Sequence, residues 1–310
     1  MPCRPGSLYL DANVGAVGRV TYTITIWGSR GSIPVPGPQT ARYGGNTSCV
    51  SIEREGGNGA QLVVLDAGSG IRVLGEALLE RQNGPVEVDL LVTHTHWDHI
   101  QGLPFFTPMY VEGNAVRIWG SKQGEVDLEV ILQQQMHPVV FPVPLDESAA
   151  DLQVEHVSAG SFDVEGFAVA AMRLRHPGNT LGYRLTPVGG GAVLAYIMDN
   201  ELGPGGTYDV GTTWRSELAD FVAGADLMIH DAMYTPEDID RHRGWGHSSF
   251  AEAVALAAEA RVRRLMVFHH RPERDDQAMD QLMEAAQAEA GRSGHTFEVL
   301  AAVEGMQLTL

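Results

Sequence analysis

Cysteine is nearly absent: Cys3 and Cys49 are the only two in 310 residues. Two thiols cannot build a disulfide framework or a thiolate zinc site, and they suit a reduced, cytoplasmic chain. Basic residues are also scarce, 21 Lys and Arg against 39 Asp and Glu, for a formal charge of −18. Proteins that grip long nucleic acids usually present a basic face, so this balance counts against RNA or DNA as the main substrate. A small anion is not disfavoured, because bound metals supply local positive charge. No apolar run is long enough to span a bilayer. The first residues include Arg4, Pro5 and Gly6 and lack the apolar core of a signal peptide. Residues 1–20 read as a loosely ordered N-terminal extension.

Apolar residues make up 44 % of the chain, enough for a substantial core. Residues 21–310 read as a single domain, with no linker or strong repeat. Two-residue alternation marks a strand over 21–27. A Gly/Pro-rich loop follows over 28–46, long enough to be functional. Strands are expected at 49–53, 61–66 (after a glycine-rich turn at 56–59), 88–92, 116–119, 167–174, 181–185, 193–198, 226–230, 264–268, 296–300 and 306–310. Helices are expected at 71–81, 125–136, 213–223, 248–260 (capped by Ser248 or Ser249) and 276–290. Strand runs that give way to alternating helix and strand suit two packed sheets with helices outside.

The densest chemistry is His94-Thr95-His96-Trp97-Asp98-His99. Four metal-binding side chains fall within six positions, just after a buried strand. Imidazole and carboxylate without thiolate suit zinc, with manganese or iron as alternatives. Burying such a group without metal is costly. Four ligands this close can serve one ion or two, and paired ions about 3.5–4 Å apart are a common device for phosphate-ester hydrolysis. His176, Asp199, His269 and His270 stand at the ends of later strands, where sheets build sites. A lone strand-end histidine is more often a satisfied polar residue; it is their joint occurrence that points to a site.

The motif, with His176, Asp199 and His269 downstream, resembles the metallo-β-lactamase superfamily over residues 21–310. The nearest resemblance is to its ribonuclease Z and cyclic-nucleotide phosphodiesterase branch. Asp226-Leu227-Met228-Ile229-His230-Asp231-Ala232 resembles that branch's His-Glu-Ala segment, with Asp231 in the glutamate place. Gly246-His247-Ser248-Ser249 resembles its Gly-His-Ser-Thr segment, and Gly28-Ser29-Arg30-Gly31-Ser32-Ile33-Pro34 and Leu65-Asp66-Ala67-Gly68 also fit.

The resemblance implies an α/β fold, a four-layer αββα sandwich of two mixed sheets with helices on the outer faces. It also implies two divalent ions, expected to be zinc. His94, His96 and His176 would hold one, Asp98, His99 and His269 the other, and Asp199 and a hydroxide would bridge them. His270 could replace His269 with a one-residue shift. Asp98, Asp231 and His247 are the expected catalytic residues. Two divalent ions outweigh two carboxylates and a hydroxide by one positive charge, which favours a phosphodiester monoanion. His247, oriented and kept protonated by Asp231, would donate a proton to the leaving alkoxide. The absence of a cysteine ligand weighs against lactam hydrolysis. His137, His230, His156, His242 and His295 carry no assigned chemistry, the last three reading as surface residues. Arg30, Arg42 and Asn46 are either substrate contacts or parts of a solvated loop.

The leading expectation is a phosphodiesterase acting on a small diester such as a cyclic nucleotide. The alternatives are tRNA 3′-end processing, a thioester or lactone hydrolase, and a metal-binding sensor without turnover. Many bacterial ribonuclease Z chains insert a basic arm between the residues matching His176 and Asp199; here only residues 177–198 intervene. The implied assembly is a homodimer, with no membrane partner.

Overall fold

Tyr22, Ile24 and Ile26 are buried along one face of β1 (Tyr22–Gly28), as the alternation predicts. The computed structural model describes residues 20–54, 61–81 and 84–310. The expected extension, Val20 apart, and the turn at 56–59 lie outside the described residues. The first sheet joins β1 to β2 (Cys49–Arg54), β3 (Gln61–Leu65), β4 (Glu87–Leu91), β5 (Ala115–Gly120) and β6 (Asp151–His156). The last strand, β14 (Gln307–Thr309), closes its other edge against β1. The second sheet runs β7 (Gly160–Val164), β8 (Phe167–Arg173), β9 (Leu181–Pro187), β10 (Leu194–Ile197), β11 (Leu227–Asp231), β12 (Arg264–Phe268) and β13 (Glu298–Ala301). Each sheet is antiparallel on one side and parallel on the other, switching at β3–β4 in the first and at β10–β11 in the second.

Three apolar layers hold the sandwich. Tyr22, Ile24, Val50 and Val63 of the first sheet meet Phe167, Tyr183, Tyr196 and Phe268 of the second. Outside the first sheet, α1 (Gly70–Arg81) and α3 (Leu128–Gln135) cover Leu62, Val88 and Ile118. Outside the second lie α4 (Trp214–Val222), α6 (Phe250–Glu259) and α7 (Asp276–Arg292) over Ala195, Met228 and Val267. The order is helix, sheet, sheet, helix. Ser249 caps α6 through a reciprocal pair with Glu252. Among the described residues no helix is long and apolar enough to cross a membrane.

Two strands escape the hydrophobic pattern. β6 and β7 are edge strands with mostly exposed or half-buried side chains, so neither shows an apolar run. The helix expected at 125–136 starts only at Leu128, because Gln123 and Val126 first close a turn around Gly124. Two short helices, α2 (Trp97–Ile100) and α5 (Pro236–Ile239), are also additions.

Candidate metal centre

Val88, Leu90, Leu91 and Val92 are buried, so β4 carries the chain through the core and releases it at the strand's C-terminal end. His96 is still extended, with φ −63° and ψ 150°, and α2 begins at the next residue. The bend separates the motif into two halves, His94 and His96 before it and Asp98 and His99 within α2. Asp199 arrives just past β10, His269 directly after β12, and His176 from the β8–β9 connection.

These side chains converge around one carboxylate. Asp199 Oδ2 lies 3.5 Å from His94 Nε2 and 3.4 Å from His176 Nε2. Its Oδ1 lies 3.3 Å from His99 Nε2 and 3.1 Å from His269 Nε2. His96 Nδ1 is 3.0 Å from His176 Nε2. Asp98 Oδ2 is 3.3 Å from His99 Nε2 and 3.0 Å from His269 Nε2. Two groups result, His94–His96–His176–Asp199 and Asp98–His99–Asp199–His269, with the candidate ligand atoms of each within 4.8 Å of one another.

The donors fit divalent cations. His94 Nε2, His99 Nε2 and Asp199 Oδ1 are buried without a hydrogen-bond partner, an arrangement that costs free energy unless something else satisfies them. Burial holds His94 and His176 below the usual imidazole range, His176 down to about 4, which keeps their lone pairs free. Burial would push Asp98 and Asp199 up, but the surrounding imidazoles hold both carboxyls well below their usual range. His99 goes the other way: burial opposes its charge, but Asp98, Asp199 and Asp66 together raise it. The negative charge that would retain a proton there would equally retain a cation.

A second ring of residues orients the first. Asp66 accepts hydrogen bonds from Thr93 N at 2.8 Å and Thr93 Oγ1 at 2.9 Å. It also takes His99 Nδ1 at 2.9 Å and Tyr196 Oη at 3.0 Å. His176 Nδ1 donates to the Gly246 carbonyl at 2.8 Å. Gly246 has φ +84°, and a Cβ there would lie 2.2 Å from His176 Nδ1, so only glycine fits. Glu201 fixes that turn by accepting Gly244 N at 2.8 Å and Gly246 N at 3.1 Å. Ser32 N donates to Asp98 Oδ2 at 2.7 Å. The motif reading gave Asp66 and Glu201 no role, although Asp66 stands at a strand end just as Asp199 does. Asp66, Asp199 and His269 all adopt positive φ (61°, 48° and 57°), a backbone strain that collects at functional sites.

Asp231 and His247 form a third group with His269. His247 Nδ1 lies 2.9 Å from Asp231 Oδ2. Its ring stacks on His269 at 5.0 Å and meets His176 edge-on at 5.1 Å. Burial disfavours the imidazolium, but Asp231 and Asp199 outweigh it and push His247 up to about 9.

Other candidates fall elsewhere. His270 is buried away from the centre and its Nε2 donates to the Ala302 carbonyl at 2.8 Å. Arg30 is neither a substrate contact nor solvated: it is fully buried, donating to the carbonyls of Gly44, Arg271 and Arg274. Arg42 pairs with Asp280, and Asn46 bonds Glu304, so both fasten the long loop to the domain. His242 and His295 are half-buried, not surface residues; His242 stacks on Tyr234 at 4.3 Å. His230 is a buried strand residue, its Nδ1 2.6 Å from the Asp231 carbonyl oxygen. His137 and His156 are exposed.

A sandwich of this kind with a His/Asp centre at the ends of its central strands defines the metallo-β-lactamase class of hydrolases. The family profile described as beta-lactamase superfamily domain matches residues 61–270, and the chain belongs to that superfamily. The chain is 26 % identical over 293 residues to ribonuclease Z of Natronomonas pharaonis, covering 81 % of this chain and 87 % of that one. Its fold is similar to that of yeast PDE1, with a TM-score of 0.70 at 14 % identity over 94 % of this chain and 100 % of the other. It is also similar to the short form of human tRNase Z, with a TM-score of 0.60 at 21 % identity over 92 % and 98 % of the two chains.

Proposed function

We propose that the protein is a metal-dependent phosphodiesterase acting on a small diester such as a cyclic nucleotide. The observation that carries this reading is the sharing of Asp199 between two ligand groups, with the His247–Asp231 pair packed against both. His94, His96, His176 and Asp199 would hold one ion, and Asp98, His99, His269 and Asp199 the other. Imidazole and carboxylate donors suit zinc. Bound ions would neutralise the phosphoryl oxygens and make hydroxide available near neutral pH.

The chain's own residues supply the rest. Asp231 engages His247 Nδ1 and leaves the second ring proton on Nε2, available to a leaving alkoxide. Asp231 also accepts Met233 N at 2.9 Å, which fixes the carboxylate. A thiolate leaving group needs such an acid less than an alkoxide does, which favours phosphoesters over thioesters.

A second reading, tRNA 3′-end processing, is favoured by the similarity to ribonuclease Z. Against it stand the charge of −18 and the connection from His176 to Asp199, which is taken up by β9, β10 and short turns. The test is a panel assay of the metal-loaded protein on bis-p-nitrophenyl phosphate, cyclic nucleotides, precursor tRNA and a thioester. Turnover of the small diesters is expected; cleavage of tRNA alone would overturn the proposal.

A further inference from the structure

Trp97 lies between His96 and Asp98 in the chain, yet its side chain is 78 % exposed, and Phe105 nearby is 54 % exposed. Large aromatic groups left in water beside a reactive centre are a mark of binding. Beside them a cavity of about 500 Å³ opens between the motif segment and the region around α3. Its walls include Trp97, Phe105, Ile131 and Phe141, and the rings of Phe105 and Phe141 meet edge to face at 5.5 Å. One polar group is conspicuous there. Gln135 donates through Nε2 to the Ile100 carbonyl at 2.8 Å, and its Oε1 is buried without a partner.

Three properties narrow the occupant. The volume falls in the range of small-ligand sites, about 300–1,000 Å³, and is too small for a folded partner. None of the described residues lining it is cationic, and the chain's single lysine, Lys122, pairs with Asp127, so the cavity is not built for a second phosphate. Aromatic walls with an unsatisfied amide acceptor suit a planar ring that carries an N–H donor. The cavity also borders the motif segment: Thr95 and Trp97, which flank His96, line it, as does Ile100, which follows His99.

We propose that this cleft is a nucleobase subsite, holding the base of a nucleotide whose phosphodiester lies at the metal centre. The proposal rests on the phosphodiesterase reading and names the substrate class for it. Recognition by stacking suits a chain whose formal charge is −18.

Calorimetric binding of adenosine 5′-monophosphate and ribose 5-phosphate to the metal-loaded protein tests the subsite without turnover. Both probes carry the same phosphate, and only one carries a base. The expected result is a preference of about tenfold or more for the base-bearing probe. Trp97→Ala and Phe105→Ala should each weaken it roughly 5- to 150-fold, the range for losing a base–aromatic stack. Gln135→Leu, which keeps the cleft apolar, should also weaken it. Equal affinity for the two probes, or native affinity for adenosine 5′-monophosphate in all three variants, would overturn the subsite. Failure of the native enzyme to hydrolyse any small diester would instead overturn the phosphodiesterase reading, and base selectivity in binding separates the two outcomes.

Discussion

His247 and Asp231 form a buried pair in which the imidazole Nδ1 sits 2.9 Å from the carboxylate and the ring lies flat on His269. The carboxylate stays ionised because the His247 imidazole outweighs the cost of burial, so the charge beside His247 is permanent near neutrality. The pair thus places the proposed proton donor against His269, a candidate ligand of the metal centre.

That arrangement sets the pH dependence. His247 is raised to about 9, so the imidazolium is present below that pH and lost above it. Divalent ions nearby repel the proton and pull the value down. Turnover should therefore show an alkaline limb between about 6.5, the unperturbed value, and about 9. Asp231→Asn removes the anion that favours the imidazolium and should move the limb to lower pH. His247→Ala should lower kcat about 10²–10⁴-fold with metal content retained. A pH–rate profile unchanged by Asp231→Asn would refute this role.

Asp66 supports the centre at one remove. Its Oδ2 takes the His99 Nδ1 proton and so leaves Nε2 to face Asp98 and Asp199. Replacing such a carboxylate partner typically weakens metal binding about 10–100-fold. Asp66→Asn, nearly isosteric, should show that loss in a chelator competition, and native affinity would count against the positioning role.

One stability test lies away from the centre. Ser249→Ala removes the side-chain cap of α6, where Ser249 and Glu252 bond reciprocally. Denaturant unfolding should show a loss of about 0.5–2 kcal/mol, with diester turnover at permissive temperature little changed.

Most of the fold was legible because its central strands are buried on both faces and read as apolar runs, as at Leu227–Asp231 and Arg264–Phe268. The edge strands β6 and β7 were not, because half-exposed strands carry no such run. At the site, the six-residue motif was legible through its density. Asp66 was legible as part of a matching segment but not in its role, and Glu201 not at all, because a single carboxylate at a strand end or in a loop looks like any turn residue until its partners are placed. Arg30 misled for a related reason: its neighbours in sequence are loop residues, but the carbonyls that bury it include those of Arg271 and Arg274, far along the chain.

Asp199 is the residue on which the two ligand groups depend, one carboxylate oxygen facing each. The most direct measurement is metal content by mass spectrometry, alongside turnover of bis-p-nitrophenyl phosphate, for the native chain and Asp199→Ala. The account predicts two divalent ions per native chain, and in the variant loss of tight binding at both sites together with turnover. Two ions retained in Asp199→Ala, or full diester turnover by a native chain stripped of metal, would contradict it.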